Sequence, residues 1–154
     1  MAENTFYEES IHSGLFLFEV DGEEIGSFLE VSGLQVEVDV DPIEEGGNNA
    51  FVHKMPGRMT WPNLVFKRGL TKSDNLFVWL QQSSGDGLAA KGNKLERKSA
   101  AITLLDQKGT RLRTWEVEGA FAVRWQGPTF AAGGDEFASE ELEIAHHGFR
   151  ARNL

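Results

Sequence analysis

Along the first forty residues the apolar positions fall in short runs bounded by turn residues, the pattern of β-strands. Leu15 to Val20 is apolar-rich and closes on Asp21-Gly22, a strong hairpin turn, so Ser27 to Val31 is expected to return as its partner. From Leu34 to Asp41 the alternation is strict. Leu34, Val36, Val38 and Val40 fall on one side, Gln35, Glu37, Asp39 and Asp41 on the other, which predicts a strand with one buried and one carboxylate-bearing face. Pro42 is expected to stop it, and Glu44-Glu-Gly-Gly-Asn-Asn49 opens a polar, glycine-rich loop running to Pro56-Gly57, with apolar Phe51, Val52 and Met55 at its far end. Arg58 to Lys67 reads as a further strand in which Pro62 implies an edge or a bulge.

The period changes once. After Ser73 or Asp74 as N-cap, Leu76, Phe77, Trp79 and Leu80 share one side of a short helix ending at Ser83-Ser84-Gly85. Asp86 to Lys98 is expected to be loop. Strands are predicted near Ser99 to Asp106 and Arg111 to Glu118, with Phe121 to Trp125 extending the second beyond Gly119. Thr129 to Asp135 is rich in small residues, and Ser139 to His146 closes the chain with Leu142 and Ile144 alternating against Glu141, Glu143 and Ala145. Seven to nine short strands and one helix, with no repeat and no linker, predict a single mainly β domain over 1–154: an antiparallel sandwich or partly closed barrel with a short flanking helix. Such a fold has edges that must be blunted or given to a neighbour.

Composition adds two exclusions and one asymmetry. With no cysteine among 154 residues there is no disulfide framework and no thiolate ligand or nucleophile. The longest apolar run is far shorter than a bilayer span, and the first residues lack a basic signal region, so membrane insertion is not expected and synthesis and folding in a cytoplasm are. The net charge of −9 is unevenly spread: residues 1–50 sum to −13 with no Lys or Arg, residues 51–113 to +8, and residues 114–154 to −4. Acids interleaved with Val, Leu, Ile and Phe argue for a folded object whose oppositely charged surfaces pair within one subunit or between copies.

The chemical motifs are weak. Gly85-Asp-Gly-Leu-Ala-Ala90 matches a loose dinucleotide pattern, but that site needs a preceding strand, and here a helix precedes it. His146 and His147 are adjacent in a strand, which points their rings to opposite faces, and His12 and His53 are remote, so neither a metal nor another cofactor is expected. Acid pairs such as Glu37/Asp39 or Glu141/Glu143 carry no specificity among 24 acids, which leaves no catalytic set. Trp61, Trp79, Trp115 and Trp125 keep a carbohydrate-binding β-sandwich as the alternative, although Trp79 on the apolar side of the helix and Trp115 in phase with Val117 are expected in the core.

The order of motifs carries more. Phe28-Leu-Glu-Val-Ser-Gly-Leu34, Gly46-Gly47-Asn48, Met55-Pro-Gly57, Leu64-Val-Phe-Lys-Arg-Gly-Leu-Thr71 leading to Leu76-Phe-Val-Trp79, and Leu142-Glu-Ile-Ala-His-His-Gly-Phe149 together resemble the tail tube proteins of contractile phages and the inner-tube proteins of extracellular contractile injection systems. The resemblance implies a structural, non-enzymatic subunit. Its hexameric rings would join their inner sheets into a continuous barrel and stack into a hollow tube inside a sheath. The tube would meet baseplate or spike and tube-terminating proteins, conduct effector cargo or DNA, and be assembled in a bacterial cytoplasm as part of a particle or virion. It also implies that the region of Glu44, Glu45, Gly46, Gly47, Asn48, Phe51, Val52 and Met55 reaches the next ring. Leu76, Trp79 and Leu80 would pack the helix on the barrel, and acidic faces drawn from Gln35, Glu37, Asp39, Glu116, Glu118, Glu141 and Glu143 would line the bore.

Overall fold

The computed structural model describes residues 14–129, 133 and 138–152. Strand β1 (Leu15–Val20) turns through Asp21 and Gly22, both at positive φ (51° and 81°), into β2 (Glu23–Phe28), the turn geometry that Asp-Gly favours because its twist matches the strands it joins. Beyond Leu29 the chain continues as β3 (Glu30–Ser32), which leaves β1 and pairs instead with β6 (Leu64–Gly69). Strands β4 (Glu37–Ile43) and β5 (His53–Thr60) form a separate two-stranded sheet. Helices α1 (Asn75–Ser83) and α2 (Gly85–Ala90) precede β7 (Lys98–Leu105), β8 (Arg111–Gln126), β9 (Ser139–Ala145) and β10 (Gly148–Arg152).

All pairings are antiparallel, in the order β2-β1-β7-β8-β9-β6-β3, with β10 beside the first half of β8. Since β2 and β3 are consecutive in the chain yet sit at opposite ends of that order, the sheet must roll until its ends approach. It does so without closing a hydrogen-bonded barrel. Strand β8 spans the roll and changes its inward parity twice. Trp115 and Val117 face the core, then Ala120 and Ala122, then Trp125, with register shifts at Gly119 (φ +62°) and between Ala122 and Arg124.

Phe18, Phe28 and Phe66 fill the interior, with ring centroids 4.3 to 6.0 Å apart, and Leu64, Ile102, Leu142 and Ile144 surround them. Leu76 and Trp79 seal one side of this core from α1, and Leu80 packs partly against it. Burying a side chain the size of leucine contributes about 1.5–3 kcal/mol, so Leu76 alone fixes the helix firmly.

Several expectations change. Pro42 does not end its strand: it lies within β4 opposite Lys54, where the arm's free edge tolerates a missing N–H. The glycine-rich loop is shorter than expected, because pairing resumes at His53 and takes Pro56 and Gly57 into β5. The strand expected over 58–67 is divided at residues 61–63, where the chain passes from arm to body. A second helix, α2, occupies the expected loop and is built from the Gly85–Ala90 motif itself, so that motif is not a strand-to-helix phosphate loop. Strand β10 is additional. The Thr129–Asp135 segment and His12 fall largely or wholly outside the described residues.

Candidate functional site: an uncovered two-stranded arm

Every residue of β4 and β5 is exposed. The alternation from Leu34 to Asp41 is therefore real as a pattern, but the strand begins only at Glu37, and beyond Leu34, which packs partly on the core, its apolar side is not buried within the subunit, contrary to the one-face-in expectation. Val38, Val40 and Met59 share one side of the arm with Pro42 and Pro56, and are 45, 54 and 52% exposed. Glu37, Asp39 and Asp41 occupy the other side, with Met55 opposite Asp41 and His53 opposite Ile43. Between Val38 and Val40 the register slips by one, placing Gly57 against Asp39, where a Cβ would come within 3.2 Å of the Asp39 carbonyl oxygen.

The tip is ordered by its own contacts. The Asn48 N–H donates to the Glu45 carbonyl (3.2 Å), the Ala50 N–H to Asn48 Oδ1 (3.1 Å), and His53 Nε2 lies 3.1 Å from Glu45 Oε2. Gly47 takes the positive φ (86°) the reversal requires. Glu44, Gly46, Phe51, Val52 and Met55 remain exposed around it. So many apolar side chains on one arm, none covered, mark an interaction surface.

The acidic residues divide into two kinds. Glu116 and Glu118 lie on the outward side of β8 and meet Arg152 (3.0 Å) and Arg150 from β10. Glu143 on β9 accepts from Arg124 Nε (2.7 Å) and Asn63 Nδ2 (3.0 Å), while Glu141 lies 4.0 Å from the same guanidinium. The Arg124 hydrogen bond, followed by that from Asn63, holds the Glu143 carboxyl below the usual carboxylate range, and Glu143 in turn raises Arg124. On the arm, Glu37 accepts from Gln35 Nε2 (2.8 Å), and neither Glu37 nor Asp39 has a cation within ion-pair distance among the described residues. The basic middle segment is also partly spent inside the subunit: Arg68, Lys91, Lys98 and Arg111 pair with Glu140, Glu96, Asp21 and Glu19. Arg150 and Arg152 lie on β10, the strand the sequence pattern did not reveal.

Sequence reasoning also missed Glu140. Its place in phase with Leu142 turns it into the core, where its Oε1 accepts from Arg68 Nε at 2.5 Å and its Oε2 from Trp125 Nε1 at 3.1 Å. That phase was readable, since an acid at a core position calls for a buried cation. Trp79 is buried, and Trp61, Trp115 and Trp125 are half-buried, so none of the four forms an open stacking platform for a sugar. Among the described residues no cluster of His, Asp or Glu is arranged to hold a metal ion, and no helix is long and apolar enough to cross a membrane.

A rolled β body carrying an exposed arm is the form of an assembly subunit, whose unsatisfied surface is completed by other chains. The chain belongs to the T4-like virus tail tube protein gp19 family, whose model matches residues 13–150. Among solved structures it is similar to a chain of the PVC sheath-tube complex of an extracellular contractile injection system in its extended state, with 28% identity, coverage of 96% of this chain and 94% of that one, and a TM-score of 0.79. A chain of the PVC sheath/tube terminator in the extended state gives 28% identity, coverage of 94% and 98%, and a TM-score of 0.78. Hcp1 from Flavobacterium johnsoniae shares the fold at 16% identity, with coverage of 92% and 97% and a TM-score of 0.52. No curated protein sequence matches the chain. The family is one of tail tube proteins, and this chain is a tail tube protein of the contractile injection system type.

Proposed function

We propose that six copies of this chain close into a ring whose inner sheets join as one β-barrel, and that rings stack into a hollow tube driven outward when a surrounding sheath contracts. The observation that carries this reading is the arm: Val38, Val40 and Met59 lie open in the subunit and need the surface of another copy. Phe51, Val52 and Met55 at and beside the tip reach the neighbouring ring, with Gly46 and Gly47 shaping the turn. The subunit acts mechanically rather than as an enzyme. It is assembled in a bacterial cytoplasm, is bounded by baseplate or spike and terminator proteins, and carries effector cargo or DNA. The exposed side of α1, where Val78 is 44% exposed, turns toward the sheath.

Of the acidic faces, Gln35/Glu37/Asp39 is the one assigned to the bore. Its carboxylates lack guanidinium partners among the described residues, so six copies would present an unneutralised ring that repels anionic cargo from the wall. Glu116 and Glu118 carry their own arginines, Glu141 and Glu143 share Arg124, and these faces would give a bore less net charge. Electron microscopy of the purified protein tests the assembly: sixfold rings or tubes are expected, and a monomer that never associates at high concentration would refute it. In such a map, Glu37 and Asp39 on the tube exterior would overturn the bore assignment.

A further inference from the structure

Between arm and body the chain passes through Trp61, Pro62 and Asn63, and each of the three is fastened to the C-terminal strands. Asn63 Nδ2 donates to Glu143 on β9. The Pro62 carbonyl accepts from His146 Nε2 at 2.8 Å. The Trp61 ring meets Phe149 of β10 edge to face, with centroids 5.1 Å apart, and lies over Gly148, where a Cβ would stand 3.0 Å from Trp61 Cε2. The other strand of the arm leaves the body just after Gly33, whose φ of +89° and close approach to the Asn63 carbonyl leave no room for a side chain.

His146 is the centre of this mount. Its ring is buried, and its two nitrogens have different partners: Nδ1 accepts the Gly148 N–H at 3.0 Å, so the proton resides on Nε2, which donates it to Pro62. The Gly148 bond shapes the step from β9 to β10, and the Pro62 bond ties that step to the root of the arm. Its neighbour His147, by contrast, is exposed.

We propose that His146 is a positioning residue that aims the arm, holding the β4–β5 hairpin at a fixed angle to the body before it meets another copy. An arm without such a mount would have to be ordered during each joining event, and that ordering cost would weaken every joint in the tube. This rests on the arm being the joint between copies, and two separate readouts keep the proposals apart: amide exchange in the unassembled subunit reports the mount, whereas tube formation reports the joint.

The test uses two substitutions that each imitate one ring nitrogen. In His146→Asn the side-chain oxygen replaces Nδ1 and keeps the Gly148 bond, an arrangement that asparagine forms readily with the residue two ahead, but nothing reaches Pro62. In His146→Gln the amide nitrogen replaces Nε2 and can still donate to Pro62. For His146→Asn, exchange across residues 53–60 is expected to quicken about fivefold to tenfold, the population change that one lost hydrogen bond produces, with reduced tube yield. His146→Gln should exchange and assemble within about twofold of the parent. Trp61→Leu, which leaves every body hydrogen bond in place, should quicken exchange in the arm while β6 and β9 stay protected. Equal behaviour of the Asn and Gln variants, or unchanged arm exchange in Trp61→Leu, would overturn the proposal. If serine substitutions at Val38 and Val40 leave assembly intact while the exchange results hold, the joint reading fails and the mount stands.

Discussion

Replacing Glu140 by alanine strands a buried guanidinium. Arg68 and Glu140 face each other directly across β6 and β9, and are 5 and 4% exposed. Arg68 is further confined by Gly26, where a Cβ would come within 2.4 Å of Nη1, and by the Phe28 ring, whose centroid is 5.2 Å from Cζ. Nη2 has no acceptor among the described residues, so Glu140 supplies the charge compensation almost alone. Removing one member of such a pair costs about 3–5 kcal/mol, because the remaining charge stays buried without its partner. For a domain of this length that corresponds to a fall of about 6–20 °C in melting temperature. The double variant Arg68→Met/Glu140→Leu removes both charges and is predicted to recover most of the loss, since replacing a buried pair by apolar residues is often neutral or stabilising by about 1–4 kcal/mol. Urea unfolding of dilute, unassembled subunit, extrapolated linearly to water, measures each term. A loss under about 1 kcal/mol for Glu140→Ala, or a double variant less stable than the single, would refute the argument from burial.

The remaining predictions concern the arm, its root and acid stability. Serine at Val38 and Val40 together should leave subunit stability within about 0.5 kcal/mol of the parent, as exposed positions do, while abolishing rings and tubes in micrographs. Gly33→Ala forces a side chain onto the Asn63 carbonyl at a left-handed φ and should cost about 1–3 kcal/mol by denaturant unfolding, a neutral result contradicting the close approach. Glu143 has a depressed folded pKa, so its stabilisation is complete above the unfolded value of about 4.3 and is lost as pH falls through the folded one. Glu143→Gln should accordingly be less stable at neutral pH and show a shallower acid limb when stability is followed from pH 6 to pH 2. Leu76→Ala should destabilise by about 2–5 kcal/mol, because that side chain is wholly buried beneath α1.

How far the pattern could be read depended on whether local chemistry and tertiary surroundings asked for the same thing. They agree at β1, at the Asp21-Gly22 turn, along α1 and along β9, and those elements lie where alternation or helical spacing puts them. They part at Pro42 and Pro56, which break strands in most contexts but are harmless in an arm with free edges. They part again at residues 118–126, where two bulges let one strand serve both halves of the roll while its inward parity changes. Periodicity cannot register that, because it assumes a constant phase. For the candidate site, the arm residues were visible as a polar loop with stray apolar neighbours. That Val38 and Val40 would be open was not, since alternation marks which side must be covered without saying by whose surface.

The sequence by itself determined that this is a cysteine-free, mainly β domain with one amphipathic helix, a dominant acidic block and the motif order of a tail tube protein. Those properties follow from local sterics, side-chain period and composition, which each residue carries wherever it sits. Only the tertiary structure decided which charges are neutralised and which stay free. It set Arg150, Arg152 and Arg124 against the body's acids, buried Arg68 with Glu140, and left Glu37 and Asp39 without a cation among the described residues. Ion pairing depends on distances of a few ångströms between residues up to 92 positions apart in the chain, and those distances exist only once the sheet has rolled.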